Sequence, residues 1–255
     1  MRLGGIVRLC LRLPLLVCWT LAMFALRMAI LPTRWVNPPS ELRMRAFLFR
    51  LWGRGAIWLM GGKLVVLGNP PQPPFLLVTN HLSYVDIITS AALLGTTFVA
   101  KAEIAHWPLI GFFAKNLQTV FINRNDLRDV VRVKNEVGNI LRKGYGLHIF
   151  AEGGISQDLQ VKPFKPALLD AAVRNHLPVH YAAITYATGQ YDPPPSQVVA
   201  WLEGKSFARH LLELLMAPGF TVKFTFGDQP IQANCRKELA QRLTEAVRAL
   251  YVPIP

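Results

Sequence analysis

Acidic side chains are scarce in this chain of 255 residues, with 15 Asp and Glu against 28 Lys and Arg. Charge of either sign is also low, at 17 %, beside 52 % hydrophobic residues, whereas soluble domains average about 25 % charged. That balance can bury a core and excludes intrinsic disorder. Three cysteines, Cys10, Cys18 and Cys235, are an odd number with two of them inside an apolar run, so there is no disulfide framework. They read as free thiols, in the core or facing lipid. No internal repeat occurs. Gly138, Gly144 and Gly146 form no phosphate-binding loop. His106, His148, His176, His180 and His210 have no metal-ligand spacing, and Pro178 between His176 and His180 keeps that pair off one helix face. No metal site is expected.

The positive excess is unevenly placed. Residues 1–63 hold ten Lys or Arg and a single acid, Glu41, together with four of the six tryptophans. Basic residues among Trp and Leu fit a membrane interface, and an unbroken apolar run argues against nucleic acid as a partner. From Leu13 to Leu26 no charge occurs, and the run continues past Arg27 to Leu31 before Pro32. Fourteen helical residues reach about 21 Å, and nineteen with Arg27 snorkelling nearly cross a hydrocarbon core of about 30 Å. Both a true span and a shallow anchor are compatible with this length. Arg2, Arg8 and Arg12 before the run favour the cytoplasmic side. No small-x-small cleavage site follows, which disfavours a cleaved signal peptide. Residues 41–60 form a second helix in which Arg43, Arg50 and Arg54 share one sector, with Phe47, Leu48, Phe49, Trp52 and Trp58 around the rest. This suits a basic amphipathic helix lying on anionic lipid, the alternative being a surface helix packed on the domain.

After Gly61-Gly62 short β-rich runs alternate with helical patterns. Strands are predicted at 64–67, 75–79, 97–101, 119–123, 146–150, 179–186, 198–202 and 220–226, and helices at 85–94, 104–115, 128–143, 165–177, 205–216 and 236–251. This alternation predicts an α/β fold, a single domain (63–255) with a mixed, largely parallel β-sheet flanked by helices and preceded by membrane-anchoring helices (1–62).

The strand FLLVT runs into Asn80-His81-Leu82-Ser83-Tyr84-Val85-Asp86. A His on a strand-to-helix turn and an Asp in the first helical turn can meet, the carboxylate holding one ring nitrogen protonated and leaving the other as a base. The carboxyl end of a strand is where α/β sheets place their sites. A second constellation, His148-Ile149-Phe150-Ala151-Glu152-Gly153-Gly154-Ile155-Ser156, is again a strand ending in a polar, glycine-rich turn, and its glycines allow close approach of a ligand. A third piece runs from Lys101-Ala102-Glu103 through Trp107-Pro108 and Gly111 to Arg124, a fork suited to carboxylate or phosphate.

In this order the pieces resemble the glycerolipid (lysophosphatidic acid) acyltransferase family over roughly residues 63–230. The resemblance is carried by N-H-x-x-x-x-D at Asn80 to Asp86, the K-x-E…W-P…G segment leading to Arg124, F-x-E-G-x-x-S at Phe150 to Ser156, and Leu177-Pro178-Val179. It implies direct acyl transfer without cofactor, metal or acyl-enzyme, from acyl-CoA or acyl carrier protein as co-substrate to the hydroxyl of a lysolipid. His81 would be the general base, oriented by Asp86. Asn80, Ser83, Lys101, Arg124, Glu152, Gly153, Gly154 and Lys165 would bind substrate. The first acceptor implied is 1-acyl-sn-glycerol-3-phosphate, at the cytoplasmic face of the cell membrane.

One departure bears on that acceptor. The family's third block usually reads F-P-E-G-T-R-S, and here Ile155 stands where the Arg is expected. A charge-assisted Arg contact is worth about 1.5–3 kcal/mol. Either Lys101, Arg124, Lys162 or Lys165 replaces it, or the acceptor lacks that phosphate. Lyso-ornithine lipid is the concrete alternative, because this block followed by Val161-Lys162-Pro163-Phe164-Lys165 is similar to a subgroup that acylates such lipids. A lipid hydrolase using Ser83 or Ser156 with His81 lacks a G-x-S-x-G elbow, and a non-catalytic membrane-binding protein is the remaining reading.

Overall fold

The computed structural model describes residues 2–107, 110–116, 118–123 and 126–255. Among them seven strands form one sheet: β1 (Gly62–Leu67), β2 (Phe75–Thr79), β3 (Thr97–Lys101), β4 (Val120–Ile122), β5 (Gly146–Phe150), β6 (Val179–Ala187) and β7 (Phe220–Phe226), in the order β1-β7-β6-β2-β5-β3-β4. Every pairing is parallel except β6 with β7. β2 and β5 are buried at every residue, as expected for central strands covered on both faces, and for that reason they read as unbroken apolar runs. β7 alternates buried and half-buried residues. It is the strand whose sequence shows a period of two.

Helices cover the sheet: α4 (Val85–Leu94), α5 (Ile110–Asn116), α6 (Leu127–Arg142), α7 (Pro166–Arg174), α8 (Pro195–Val198), α9 (Phe207–Met216) and α10 (Arg236–Leu250). α4 stops at Gly95, whose left-handed backbone (φ +59) lets its N–H return to the Ala91 carbonyl at 3.0 Å.

Three helices precede the sheet, α1 (Arg2–Ile30), α2 (Thr33–Val36) and α3 (Pro38–Leu59). The segment Leu3–Val36 is long and apolar enough to cross a membrane, yet α1 is tied to the domain at its start, middle and end. Near its start, Arg8 donates to the Met216 carbonyl and Arg12 to those of Leu215, Ala217 and Pro218, at 2.7–3.1 Å. Guanidinium groups thus cap the carbonyl end of α9, where cations are favoured. Midway, Trp19 donates to the Trp52 carbonyl and Trp52 to the Thr20 hydroxyl. At its end, Arg27 pairs with Glu41 of α3 at 2.9 Å, both side chains nearly fully buried.

Several expectations are corrected. Arg27 does not snorkel, its guanidinium being buried against Glu41. Residues 41–60 do not simply lie on lipid: α3 buries Phe49, Gly53, Ala56 and Ile57, and Arg54 donates to the Ala92 carbonyl, while Phe47, Leu51 and Trp58 stay exposed. The run at 198–202 is not a strand. Val198, Val199 and Ala200 are buried and Trp201 and Leu202 half-buried, but Trp201 N–H goes to Leu82 O, Ala200 O accepts from the His210 side chain of α9, and no ladder partner occurs among the described residues. A 3-10 turn over Ala102–His106 precedes α5, where one helix was expected. All three cysteines are exposed, so Cys235 is not in the core.

At the seam of α3 and α4, a Cβ added to Gly53 would lie 2.5 Å from Ala92 N and 2.8 Å from the Ile88 carbonyl, both backbone atoms. Gly53→Ala gains about 1 kcal/mol of helix propensity but costs about 1–3 in overpacking. Its expected net effect is a fall in Tm of about 2–6 °C. Gly138→Ala in α6 meets nothing closer than 3.5 Å, and its Tm rises by about 2–4 °C. Thermal unfolding of both variants checks the pair, and a stabilised Gly53→Ala contradicts the close seam.

Candidate active site

The site is built at the carboxyl ends of β2 and β5, beside β6, which runs on past them to Ala187. β2 leaves the sheet through Asn80, whose side-chain amide donates to Ile184 O at 2.9 Å and whose Oδ1 accepts Ile184 N–H at 2.8 Å on β6. This satisfies backbone groups that the ending ladder leaves over. The turn from His81 to Tyr84 follows, and Asp86 lies in the first turn of α4. There its Oδ2 accepts the N–H groups of Leu82 (2.7 Å) and Ser83 (2.9 Å), which belong to the turn ahead of the helix and have no ladder or helix partner of their own among the described residues. The same oxygen lies 2.8 Å from His81 Nδ1, and the Tyr186 hydroxyl donates to Oδ1. Asp86 is fully buried and the His81 side chain retains 12 % exposure. With the Nδ1 proton directed to Asp86, Nε2 keeps its lone pair. The imidazole stacks on Phe150 at the end of β5, centroids 4.0 Å apart and planes 17° from parallel.

The loop after β5 grips the same turn. Glu152 Oε1 accepts His81 N–H at 3.0 Å, and Ser156 N–H donates to His81 O at 2.8 Å. Gly153 sits at φ +90 with its N–H on Phe150 O, a conformation that favours glycine. A Cβ on Gly154 would meet nothing within 4 Å, so that residue faces open space. Glu152 is buried, and apart from the bond to His81 its carboxyl is reached only weakly, by the Lys162 backbone N–H, among the described residues. Burial pushes its carboxyl up to about 8, against the opposing pull of the His81 and Lys162 backbone N–H groups. Beneath it, Thr79 donates to Asn80 O, so His148 Nε2, 2.9 Å from the Thr79 hydroxyl, is the donor in that bond. Full burial holds His148 neutral, pushed down to about 3, with the nearby His81 adding to the shift.

The turn therefore brings together Asn80, His81, Ser83, Asp86, Glu152 and Gly153, with Gly154 beside them. Asn80 and Ser83 were expected to touch substrate, but both are fully buried. Asn80 spends its amide on Ile184, and Ser83 gives its N–H to Asp86. In this structure both serve to hold the turn. Lys101, at the end of β3, and Lys165, just before α7, have exposed side chains that bond no residue of the His81–Asp86 turn among the described residues, while the Lys165 backbone N–H donates to Ala151 O at 2.7 Å in the loop after β5. Arg124 lies outside the described residues. The Ser156 hydroxyl is directed to Asp158 and Gln160 at 2.6 Å, and the Ser83 hydroxyl accepts Val85 N–H. Neither serves His81, which removes the structural basis for a serine nucleophile. Sequence reasoning missed Tyr186, and placed His148 at the head of the second constellation without giving it a role. Each carries a weak signal, a polar aromatic in an apolar strand that needs a partner once buried.

Chemically the arrangement supplies a base with one free lone pair, and a buried carboxylate stabilises the imidazolium formed on proton uptake. The model of the acyltransferase family matches residues 66–185. The chain is 31 % identical over 246 residues to a lyso-ornithine lipid O-acyltransferase of Brucella abortus, covering 90 % of this chain and 91 % of the relative. It is 30 % identical over 204 residues to a 1-acyl-sn-glycerol-3-phosphate acyltransferase of Neisseria gonorrhoeae, covering 78 % of each. Its fold is similar to the crystal structure of a 1-acyl-sn-glycerophosphate (LPA) acyltransferase from Thermotoga maritima, with a TM-score of 0.72 at 22 % identity over 96 % of this chain and 95 % of that one.

Glu152 gives a pH dependence whose sign is fixed. Its carboxyl loses a proton near the ordinary 4.5 when unfolded but near 8 when folded. Between those values the unfolded chain binds fewer protons, so this residue makes stability fall as pH rises. Glu152→Gln removes that slope. Denaturant unfolding at pH 5, 6.5 and 8 is expected to show the variant gaining on the parent as pH increases, and a constant difference contradicts the raised pKa.

Proposed function

The chain belongs to the lysophosphatidic acid and lyso-ornithine lipid acyltransferase family, and from that premise we propose that it moves a fatty acyl group from acyl-CoA or acyl carrier protein to the free hydroxyl of a lysolipid. The single observation that carries the mechanism is the bond from His81 Nδ1 to Asp86 at 2.8 Å. It leaves Nε2 to take the acceptor's hydroxyl proton as that oxygen attacks the thioester carbonyl. The tetrahedral adduct then collapses, the C–S bond breaks, and the departing thiolate takes the proton back from His81. One ester forms, one thioester is lost, and the enzyme returns to its starting state. Glu152 holds the backbone of the base from behind, and Gly154 leaves room for the acceptor's head.

Two features support lyso-ornithine lipid as that acceptor: Ile155 in place of a phosphate-gripping Arg, and similarity to the Brucella enzyme over nearly the whole length of both chains. The second reading, 1-acyl-sn-glycerol-3-phosphate, is favoured by the Neisseria relative and by the exposed cations Lys101 and Lys165.

We place the enzyme on the membrane that holds these lipids. Leu3, Leu11, Leu15 and Leu21 of α1 and Phe47, Leu51 and Trp58 of α3 are exposed apolar side chains that the domain does not cover. Because α1 is fastened to the domain along its length, an in-plane anchor suits it better than a helix surrounded by hydrocarbon. The cytoplasmic face is the side where acyl-CoA and acyl carrier protein are found.

The test offers purified enzyme palmitoyl thioesters with lyso-ornithine lipid or 1-acyl-sn-glycerol-3-phosphate and identifies products by mass spectrometry. His81→Ala is expected to lose about 10²–10⁴-fold in rate while floating with vesicles as the parent does. Undiminished acylation by His81→Ala overturns the mechanism. Acylation of 1-acyl-sn-glycerol-3-phosphate alone overturns the preferred acceptor.

A further inference from the structure

His210 lies on α9, in the chain far from His81, and its side chain is fully buried. The Tyr84 hydroxyl is 3.1 Å from its Nδ1, and its Nε2 is 3.0 Å from the Ala200 carbonyl. A carbonyl can only accept, so Nε2 carries the ring proton and Nδ1 accepts from Tyr84. The next residue after Ala200, Trp201, gives its N–H to Leu82 O at 3.0 Å. Tyr84 and Leu82 belong to the turn that carries His81. One imidazole therefore joins α9, the 200–201 loop and both sides of the catalytic turn in a closed ring of hydrogen bonds. Burial lowers the pKa of the His210 imidazole, against the raising effect of its bond to the Ala200 carbonyl, with Lys205 adding to the lowering and Glu213 opposing it, and the Tyr84 hydroxyl faces the ring from the turn.

The surroundings make the ring stiff. Tyr84 meets Phe207 at 4.9 Å and Trp201 at 5.6 Å between centroids, both edge to face, and Trp201 meets Phe207 at 6.0 Å. The Trp201 indole N–H is bound to Lys205 O. The other end of α9, about 15 Å away at ten residues of helix, is the end that Arg8 and Arg12 cap. From the inside of the sheet, the turn is held by Glu152 and Ser156. On its outward side the holds shown by the structure are those from Trp201 and His210.

We infer that His210 is a positioning residue for acyl transfer, setting the attitude of the 81–86 turn, and with it the direction of the His81 lone pair, through Tyr84 and Ala200. The inference rests on His81 being the base. It goes beyond that reading by placing part of the catalytic geometry in α9, outside every motif that carries the family resemblance. Small displacements of a catalytic group cost up to about 100-fold in rate. The effect falls on the chemical step, not on the affinity for either substrate.

The experiment measures kcat and KM for the acyl donor and the acceptor in His210→Leu, His210→Gln, Tyr84→Phe and the Tyr84→Phe/His210→Leu double variant, with folding checked by circular dichroism. Leucine removes both hydrogen bonds, and kcat is expected to fall about 10–100-fold with each KM within about twofold of the parent. Glutamine offers one acceptor and one donor, as the neutral imidazole does, and restores most of kcat. Tyr84→Phe lowers kcat in the same direction, and the double variant is no worse than His210→Leu, because both delete one connection. A folded His210→Leu enzyme with parental kcat overturns the inference, as does independent, multiplicative loss in the double variant. Should His210→Leu fail to fold, Tyr84→Phe decides, since it removes one oxygen and keeps the ring packing. His81→Ala run alongside separates the two claims: an inactive His81→Ala with an unimpaired Tyr84→Phe refutes the role of His210 alone, whereas an active His81→Ala refutes the base itself.

Discussion

Four donors converge on the buried carboxylate of Asp86: His81 Nδ1, the backbone N–H groups of Leu82 and Ser83, and the Tyr186 hydroxyl. A buried carboxylate is tolerable only when its oxygens are satisfied. Here that requirement fixes the shape of the whole turn. Two of the donors are backbone groups of the turn ahead of α4, one is the His81 imidazole, and one arrives from β6, a hundred residues along the chain. Removing any of them leaves charge or a polar group unpaired inside the protein, so the turn, the helix start and the β6 strand end stand or fall together. The orientation of His81 follows from this and needs no substrate to induce it.

The same logic explains what was legible in the sequence. β2 and β5 announce themselves as apolar runs because they are covered on both faces, and the polar residues that follow them, Asn80 to Asp86 and Glu152 to Ser156, mark the edge where they end. His81 and Asp86 are five residues apart and meet within one turn, so spacing suffices to pair them. Tyr186, His148 and His210 are paired across 69 to 126 residues, and nothing in local spacing reports such partners. The run at 198–202 shows the converse failure. Val198, Val199 and Ala200 have the composition of a strand because they are buried, and burial alone does not supply a neighbouring strand to pair with.

The N-terminal helices were read as a basic and apolar device for lipid, and their charges turn out to be divided in purpose. Arg8, Arg12, Arg27, Arg45 and Arg54 are bonded to, or buried against, the protein itself. The apolar side chains between them are what α1 and α3 present outward. Five arginines thus fasten the helices to one another and to the sheet domain, while leucines and aromatics between them stay exposed. This division makes the N-terminal helices and the turn that carries His81 parts of one body. α9 receives α1 at its carbonyl end and holds Tyr84 through His210, and α3 packs along α4, the helix that carries Asp86.

The central claim is that His81 and Asp86 act as one unit. The most direct measurement is a double-mutant cycle on kcat/KM for acyl transfer, comparing His81→Ala, Asp86→Asn and the double variant. The expected result is a loss of about 10²–10⁴-fold for Asp86→Asn alone and almost no additional loss when it is added to His81→Ala, as for residues that act together. Losses that multiply across the cycle would show the two residues acting independently, and would contradict the account.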